Sequence, residues 1–232
     1  MTRAGATPGR RRLPRFARRA AALSAAVVLT VVLAQSATSA AFTAGTSNSA
    51  NQVTSATTFC TTPGTTTLPV ALDTAVYQSN PNQNYGSGVS IGVGSSTGAN
   101  AYSYLKFTLT SASIPANCKV TSATLWIYAS TPMGGATLYA YRADASWSPA
   151  TMTWNTGRVG FAGTPAQTTS SASAGWQQWD VTLLTRELYA GPDYGFALKD
   201  SVDNAATARY QTWSSMENTK VANRPKLDIT WG

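Results

Sequence analysis

The sequence predicts an all-β protein: a two-sheet β-sandwich of the jelly-roll type with one short helix. Three observations predict it. From about Leu68 onward, short β-prone runs alternate with clusters of Gly, Pro, Asn and Ser, the pattern of many strands joined by turns. Within the runs, aliphatic residues alternate with polar or aromatic ones at period two, as in strands with one buried face. Helical spacing stands out only at Thr182–Tyr189, through Leu183, Leu184, Glu187 and Leu188, and Gly191-Pro192 stops it. Nine or so strands with so little helix fit two packed sheets.

The strands are expected near Thr67–Leu72, Ser90–Val93, Tyr102–Leu109, Lys119–Ala129, Ala136–Arg142, Trp176–Val181, Tyr194–Lys199, Ala208–Trp213 and Lys226–Trp231. In the third, Leu105, Phe107 and Leu109 share one face, and Tyr102, Tyr104, Lys106 and Thr108 the other. In the fourth, Ala123, Leu125 and Ile127 oppose Trp126 and Tyr128. In the fifth, Leu138 and Ala140 oppose Tyr139 and Tyr141. The aliphatic faces form the core, which turns the aromatic faces outward. A second helical turn is expected at Pro149–Trp154. The stretches 78–101 and 143–175 read as long loops, and they are long enough to cover part of the aromatic surface.

Ahead of this domain, residues 1–40 read as a signal peptide. Seven arginines precede the apolar run Ala20–Ala34, and small residues come after it. The run is short for a membrane span, which needs about 20 residues, so no stable span is expected after processing. Residues 41–66, rich in Ser, Thr, Ala, Gly and Asn, read as a linker, and 67–232 as the domain. The protein is therefore expected to be secreted, with an extracellular or cell-surface destination.

Charge and composition narrow the function classes. The net charge is +8, from 17 Lys and Arg against nine Asp and Glu. Removing the seven leader arginines leaves ten basic residues against nine acidic ones. The basic excess belongs to the leader, so no nucleic-acid partner is expected. The chain holds no histidine, which excludes Ser-His-Asp and Cys-His catalysis and His-ligated zinc. Its two cysteines, Cys60 and Cys118, cannot build a four-thiolate metal site. In an extracellular protein they are expected to form a disulfide.

The run Asp73-Thr-Ala-Val-Tyr77, with Asn84-Tyr85-Gly86 after it, resembles the opening of DNRLRE-type domains, grouped as carbohydrate-binding module family 96 and related to disaggregatase. The likeness continues in order through Tyr104-Leu105-Lys106-Phe107, Ile114-Pro115-Ala116-Asn117-Cys118 and Ser122-Ala123-Thr124-Leu125. It then runs through Trp147, Thr153-Trp154-Asn155, Trp179-Asp180-Val181-Thr182, Tyr194-Gly195-Phe196, the turn Ser215–Glu217 and Pro225-Lys226-Leu227. It covers about residues 60–232. Two positions depart from the pattern: Met216 stands where members often carry arginine, and Pro149 where an acid often comes after the tryptophan. The resemblance implies a secreted β-sandwich that binds polysaccharide.

Sugar binding wants aromatic planes for the C–H faces of the ring and polar groups for its hydroxyls. The outward set Tyr102, Tyr104, Lys106, Trp126, Tyr128, Tyr139, Tyr141 and Arg142 has that composition and forms the candidate ligand site. Trp147, Trp154, Trp179 and Trp213 border the strands and are read as structural. Asn84-Tyr85-Gly86 is read as a fixed turn, with Asn and Gly accepting positive φ. Asp180 is read as a cap for the helix. No cofactor is expected beyond a structural calcium ion, with Asp73 or the Asp200–Asp203–Asn204 loop as weak candidate ligands. No catalytic residue is assigned. Two other classes remain beside the non-catalytic polysaccharide binder: a structural cell-surface module, and an enzyme, either a glycosidase using the carboxylate pair Asp180 and Glu217 or a lyase using a Tyr/Lys/Arg set.

Overall fold

In the computed structural model, residues 59–232 are described. The expected signal peptide and residues 41–58 of the expected linker lie outside them. Among the described residues, ten strands and one α-helix occur in chain order, besides short 3-10 helices at Leu109–Ala112 and Val221–Asn223: β1 (Gly64–Tyr77), β2 (Ser90–Ser95), β3 (Ala101–Phe107), β4 (Val120–Thr131), β5 (Thr137–Ala143), β6 (Phe161–Thr169), β7 (Gly175–Asp180), α1 (Thr182–Ala190), β8 (Phe196–Asp200), β9 (Arg209–Ser214) and β10 (Lys226–Trp231). Among the described residues, no helix is long and apolar enough to cross a membrane.

The all-β class holds, but the two-sheet jelly roll does not. Six strands, in the order β1-β10-β4-β9-β2-β3, close on themselves through a β1–β3 pairing into an antiparallel barrel. Strands β8, β5 and β6 continue outward from β3, and β7 pairs with β4. The physical reason is the length of β1. Its first half, Gly64–Pro69, pairs with β10, and its second half, Val70–Tyr77, pairs with β3. A register shift between Val70 and Leu72 lets the strand change partners, as bulges do where sheets bend sharply. Period-two alternation is the same in a sandwich and in a barrel, so it could not tell them apart.

Strand β6 is the element that sequence patterning missed. Its run FAGTPAQTT contains Gly163 at φ +82° and Pro165, and it lacks alternation. It survives as a strand because it lies at the end of the sheet path, pairing only with β5, where a proline need not donate to a neighbour. The expected helix at Pro149–Trp154 is a single turn, with Met152 N donating to Ser148 O.

The alternation does place the core. Leu105, Phe107, Leu125, Ile127, Trp179 and Trp213 lie in one buried cluster, and the Trp179 and Trp213 rings meet edge to face at 5.7 Å. Helix α1 packs on β4, where Ala123 N donates to Thr182 Oγ1 and Val181 N to Ala123 O. A second cluster forms outside β3 and β8, from Val76, Tyr102, Tyr104, Ala143, Met152 and Ala197, packed against Trp147, Trp154 and Phe161.

The loop that covers this second cluster is clamped by the Asn84-Tyr85-Gly86 turn. Asn84 Nδ2 donates to Pro149 O at 2.7 Å and Met152 O at 2.8 Å, while its Oδ1 accepts from Gly86 N. Gly86 does not take the positive φ expected of it. It is required for closeness instead: a Cβ there would stand 2.0 Å from Pro149 O. Two bonds to otherwise stranded carbonyls are worth about 1–3 kcal/mol. Asn84→Ala should therefore lower unfolding free energy by about that amount in urea titrations, and Gly86→Ala by at least as much.

Cys60 and Cys118 form the expected disulfide, 58 residues apart. It ties the chain entering β1 to the turn entering β4, beside the end of β10, where Trp231 Nε1 donates to Thr62 O. Closing a loop of this size stabilises by roughly 4 kcal/mol in the chain-entropy account. The double variant Cys60→Ser/Cys118→Ser should lose about that much in denaturant unfolding, with the same loss on reducing the natural protein.

Candidate functional site

The expected aromatic set divides among several places. Trp126 and Tyr128 alternate outward along β4, because their neighbours Leu125, Ile127 and Ala129 fill the core. Register sets Gln178 of β7 and Lys226 of β10 on either side of Trp126, and Trp176 beside Tyr128. The rings of Trp126 and Trp176 are 6.5 Å apart and those of Tyr128 and Trp176 5.6 Å, both edge to face. Lys226 Nζ stands 5.0 Å from the Trp176 ring centre and 5.8 Å from that of Trp126. It makes no ion pair among the described residues. Trp176 is 37% exposed. Trp126 Nε1 is buried and meets no acceptor. The result is an outer wall of three rings, a free ammonium and an amide.

Trp176 and Lys226 were not in the expected set. The signal for Trp176 lay in β7, where Trp176 and Trp179, three residues apart, must face opposite sides of a strand. Lys226 carried no signal of its own, because only the β4–β10 register brings it to Trp126.

Tyr102 and Tyr104 are not outward-facing in the sense expected. Both are buried, Tyr104 completely, beneath the loop after β5. Tyr102 packs 5.0 Å from Trp154 and donates its hydroxyl to Asp203 Oδ1, and Tyr104 donates to Val159 O at 2.7 Å. Burial pushes both phenols up. The aromatic face of β3 is thus the floor of the second cluster. Trp147 and Trp154 serve there structurally, as expected.

Tyr139 and Tyr141 are half-buried on β5, their rings 5.9 Å apart, and Tyr141 packs 5.3 Å from Phe161. Arg142 is held by Glu187 of α1 at 2.7 Å. Lys106 lines an open depression of about 570 Å³ beside the end of α1, together with Tyr189 and Asp193. Burial raises the Asp193 carboxyl, and the Lys106 charge opposes this. The aromatic wall of β4 and β7 is not itself a deep cavity, as suits a surface on which flat rings stack.

The expected calcium ligands do not gather. Asp200 accepts from Val202 N and pairs with Arg209 at 3.4 Å. Asp203 pairs with Lys199. Asp73, on β1, accepts from Met216 N at 2.6 Å. Among the described residues, no group of three or more His, Cys, Asp or Glu could hold a metal ion. Asp180 is not the cap expected: Val181 holds the N-cap position of α1 with no side-chain cap bond, and Asp180, one residue earlier, accepts from Thr182 N and Thr182 Oγ1, bonds that lower its pKa.

The sequence matches the family model of carbohydrate-binding module family 96 over residues 64–231. The match spans well over half of the chain, and the protein belongs to that family. No curated protein matches it.

Asp73, on β1 in the barrel wall, and Glu217, in the turn after β9, form a carboxyl pair. Asp73 is 2% exposed. Burial pushes its pKa up to about 7, the Met216 N–H works against this, and the Glu217 charge adds to it. In an unfolded chain an aspartate titrates near 3.9. The folded state therefore holds the Asp73 proton more tightly. Its contribution to stability is complete below about pH 4 and is lost as pH rises through about 7. Thermal melts should show Tm falling across that window, and Asp73→Asn should flatten the fall.

Proposed function

We propose that this member of family 96 is a secreted, non-catalytic module that holds an extracellular or cell-wall polysaccharide on the outer face of β7, β4 and β10. The observation that carries the reading is the in-register set Trp126, Tyr128, Trp176 and Lys226. Its rings offer flat apolar surface to the C–H face of a pyranose, and Lys226 and Gln178 offer hydrogen-bond donors to its hydroxyls. Family membership supports the ligand class. The arginine-rich leader with its apolar run supports export, and the Cys60–Cys118 bridge fits an oxidising compartment.

Binding without catalysis fits the state of the acids. The carboxylates considered for glycoside hydrolysis, Asp180 and Glu217, are each engaged elsewhere: Asp180 by Thr182, and Glu217 beside Asp73. Tyr139, Tyr141, Arg142 and Lys106 lie off this wall, so the site is narrower than the full outward set.

The test is retention in affinity gels containing neutral or uronate polysaccharides. Losing one stacking ring costs about 0.5–1.5 kcal/mol beyond its buried area, about two- to tenfold in Kd. Trp176→Ala and Trp126→Ala should each weaken retention by roughly that factor or more while circular dichroism stays unchanged. Tyr104→Ala should act through stability instead. Full retention by both tryptophan variants would refute this wall as the site.

A further inference from the structure

A different aromatic surface lies on β9 and β2, and none of its rings belongs to the wall described above. Gln211 and Trp213 of β9 point into the core, which turns Tyr210 and Thr212 outward. Register sets Tyr210 opposite Gly94 and Thr212 opposite Gly92. The Tyr210 ring does not stand off the sheet, as strand side chains ordinarily do. It lies down across β2: a Cβ on Gly94 would be 2.4 Å from its Cδ2, and one on Gly92 would be 2.4 Å from its Oη. Two alternate glycines in a strand interior each weaken the strand by roughly 0.5–1 kcal/mol. Here they make a floor on which one ring rests flat.

Tyr210 as a residue nevertheless remains 45% exposed. The floor covers its underside, so that exposure belongs to its outer face and rim. Tyr77 borders it at 6.1 Å with a 43° tilt, and Tyr85 packs edge to face on Tyr77 at 4.5 Å. A fixed, flat, half-open phenol beside a tilted aromatic wall is a shape that takes the C–H face of a sugar ring. Thr212 and then the buried Ser214 follow Tyr210 along β9, the strand that pairs with the β4 residues next to Tyr128. Ser214 lies four residues from Tyr210 on β9, about 13 Å along a strand, and shares an open depression of about 360 Å³ with Tyr128 and Ser130.

We propose that Tyr210, laid on Gly92 and Gly94, is a second sugar-ring site, and that one polysaccharide chain reaches it from the Trp126–Tyr128–Trp176 wall by way of the Ser130–Ser214 depression. This rests on the polysaccharide-binding reading and adds to it a second, separate contact. Two sites on one chain raise avidity without strengthening either contact.

The test is affinity electrophoresis of the full protein in gels containing xylan, mixed-linkage β-glucan, galactan or polygalacturonate. Three variants are compared with it: Tyr210→Phe, which keeps the ring; Tyr210→Leu, which covers the glycines without an aromatic plane; and Trp176→Ala. On a polysaccharide that retards the natural protein, Tyr210→Leu should bind about tenfold more weakly and Tyr210→Phe about as well, with both melting near the natural Tm. Retardation of Tyr210→Leu equal to the natural protein, with Trp176→Ala weakened, overturns the second site and leaves the first standing. Weakening by Tyr210→Leu with Trp176→Ala unchanged supports Tyr210 as a sugar contact and refutes the wall. No retardation of the natural protein in any gel overturns both.

Discussion

The fold depends on one strand holding two partners. Backbone N–H and C=O groups must be paired wherever water is excluded, and β1 meets that requirement with β10 along its first half and β3 along its second. The bulge at Val70–Leu72 is where one set of bonds is exchanged for the other. Without that exchange, either β10 or β3 would present an open edge, and the six-strand ring would not close. Closure also sets the inward rows of β1, β2, β3, β4, β9 and β10 around a common interior, which Trp213, Leu125, Ile127 and Phe107 fill. It brings Asp73, on the second half of β1, against the Ser215–Glu217 turn, where the Met216 N–H meets it.

The fate of each outward row is set by the loop or strand that lies over it. The outward tyrosines of β3 lie under the loop after β5, which is held down by Asn84 and by the tight passage of Gly86 against Pro149. Their hydroxyls find acceptors, and their rings become packing. Among the described residues, the outward rings of β4 and β7 stay partly exposed, Trp176 at 37%. They meet one another edge to face and take Lys226 from β10 as their polar neighbour. Two aromatic faces of similar composition thus have opposite roles, one as a floor for a loop and one as a wall toward solvent.

The family resemblance and the structure bear on different parts of the same question. The ordered motifs include residues that turn out to be structural: Asn84 and Gly86 clamp a loop, Asp180 holds Thr182 at the start of a helix, and Trp147 and Trp154 close the second cluster. They specify a scaffold more than a surface. The exposed rings Trp176 and Tyr210 fall outside those motifs.

From the sequence alone came the all-β class, the position of the helix, the inward aliphatic rows and the pairing of Cys60 with Cys118. Each of these rests on local chemistry: period-two alternation, helical spacing with a Gly-Pro stop, or a lone cysteine pair in a chain expected to be exported. Strand β6 was not legible, because an edge strand with Pro165 and Gly163 lacks the alternation that a half-buried strand needs. The barrel, the burial of Tyr102 and Tyr104, the partners of Asp73 and the meeting of Trp126, Trp176 and Lys226 were decided only in three dimensions. Alternation records which way a side chain points from its own strand. It holds no record of which strand lies alongside, or of which loop folds over the face, since those are set by hydrogen-bond register and contacts between residues far apart in the chain.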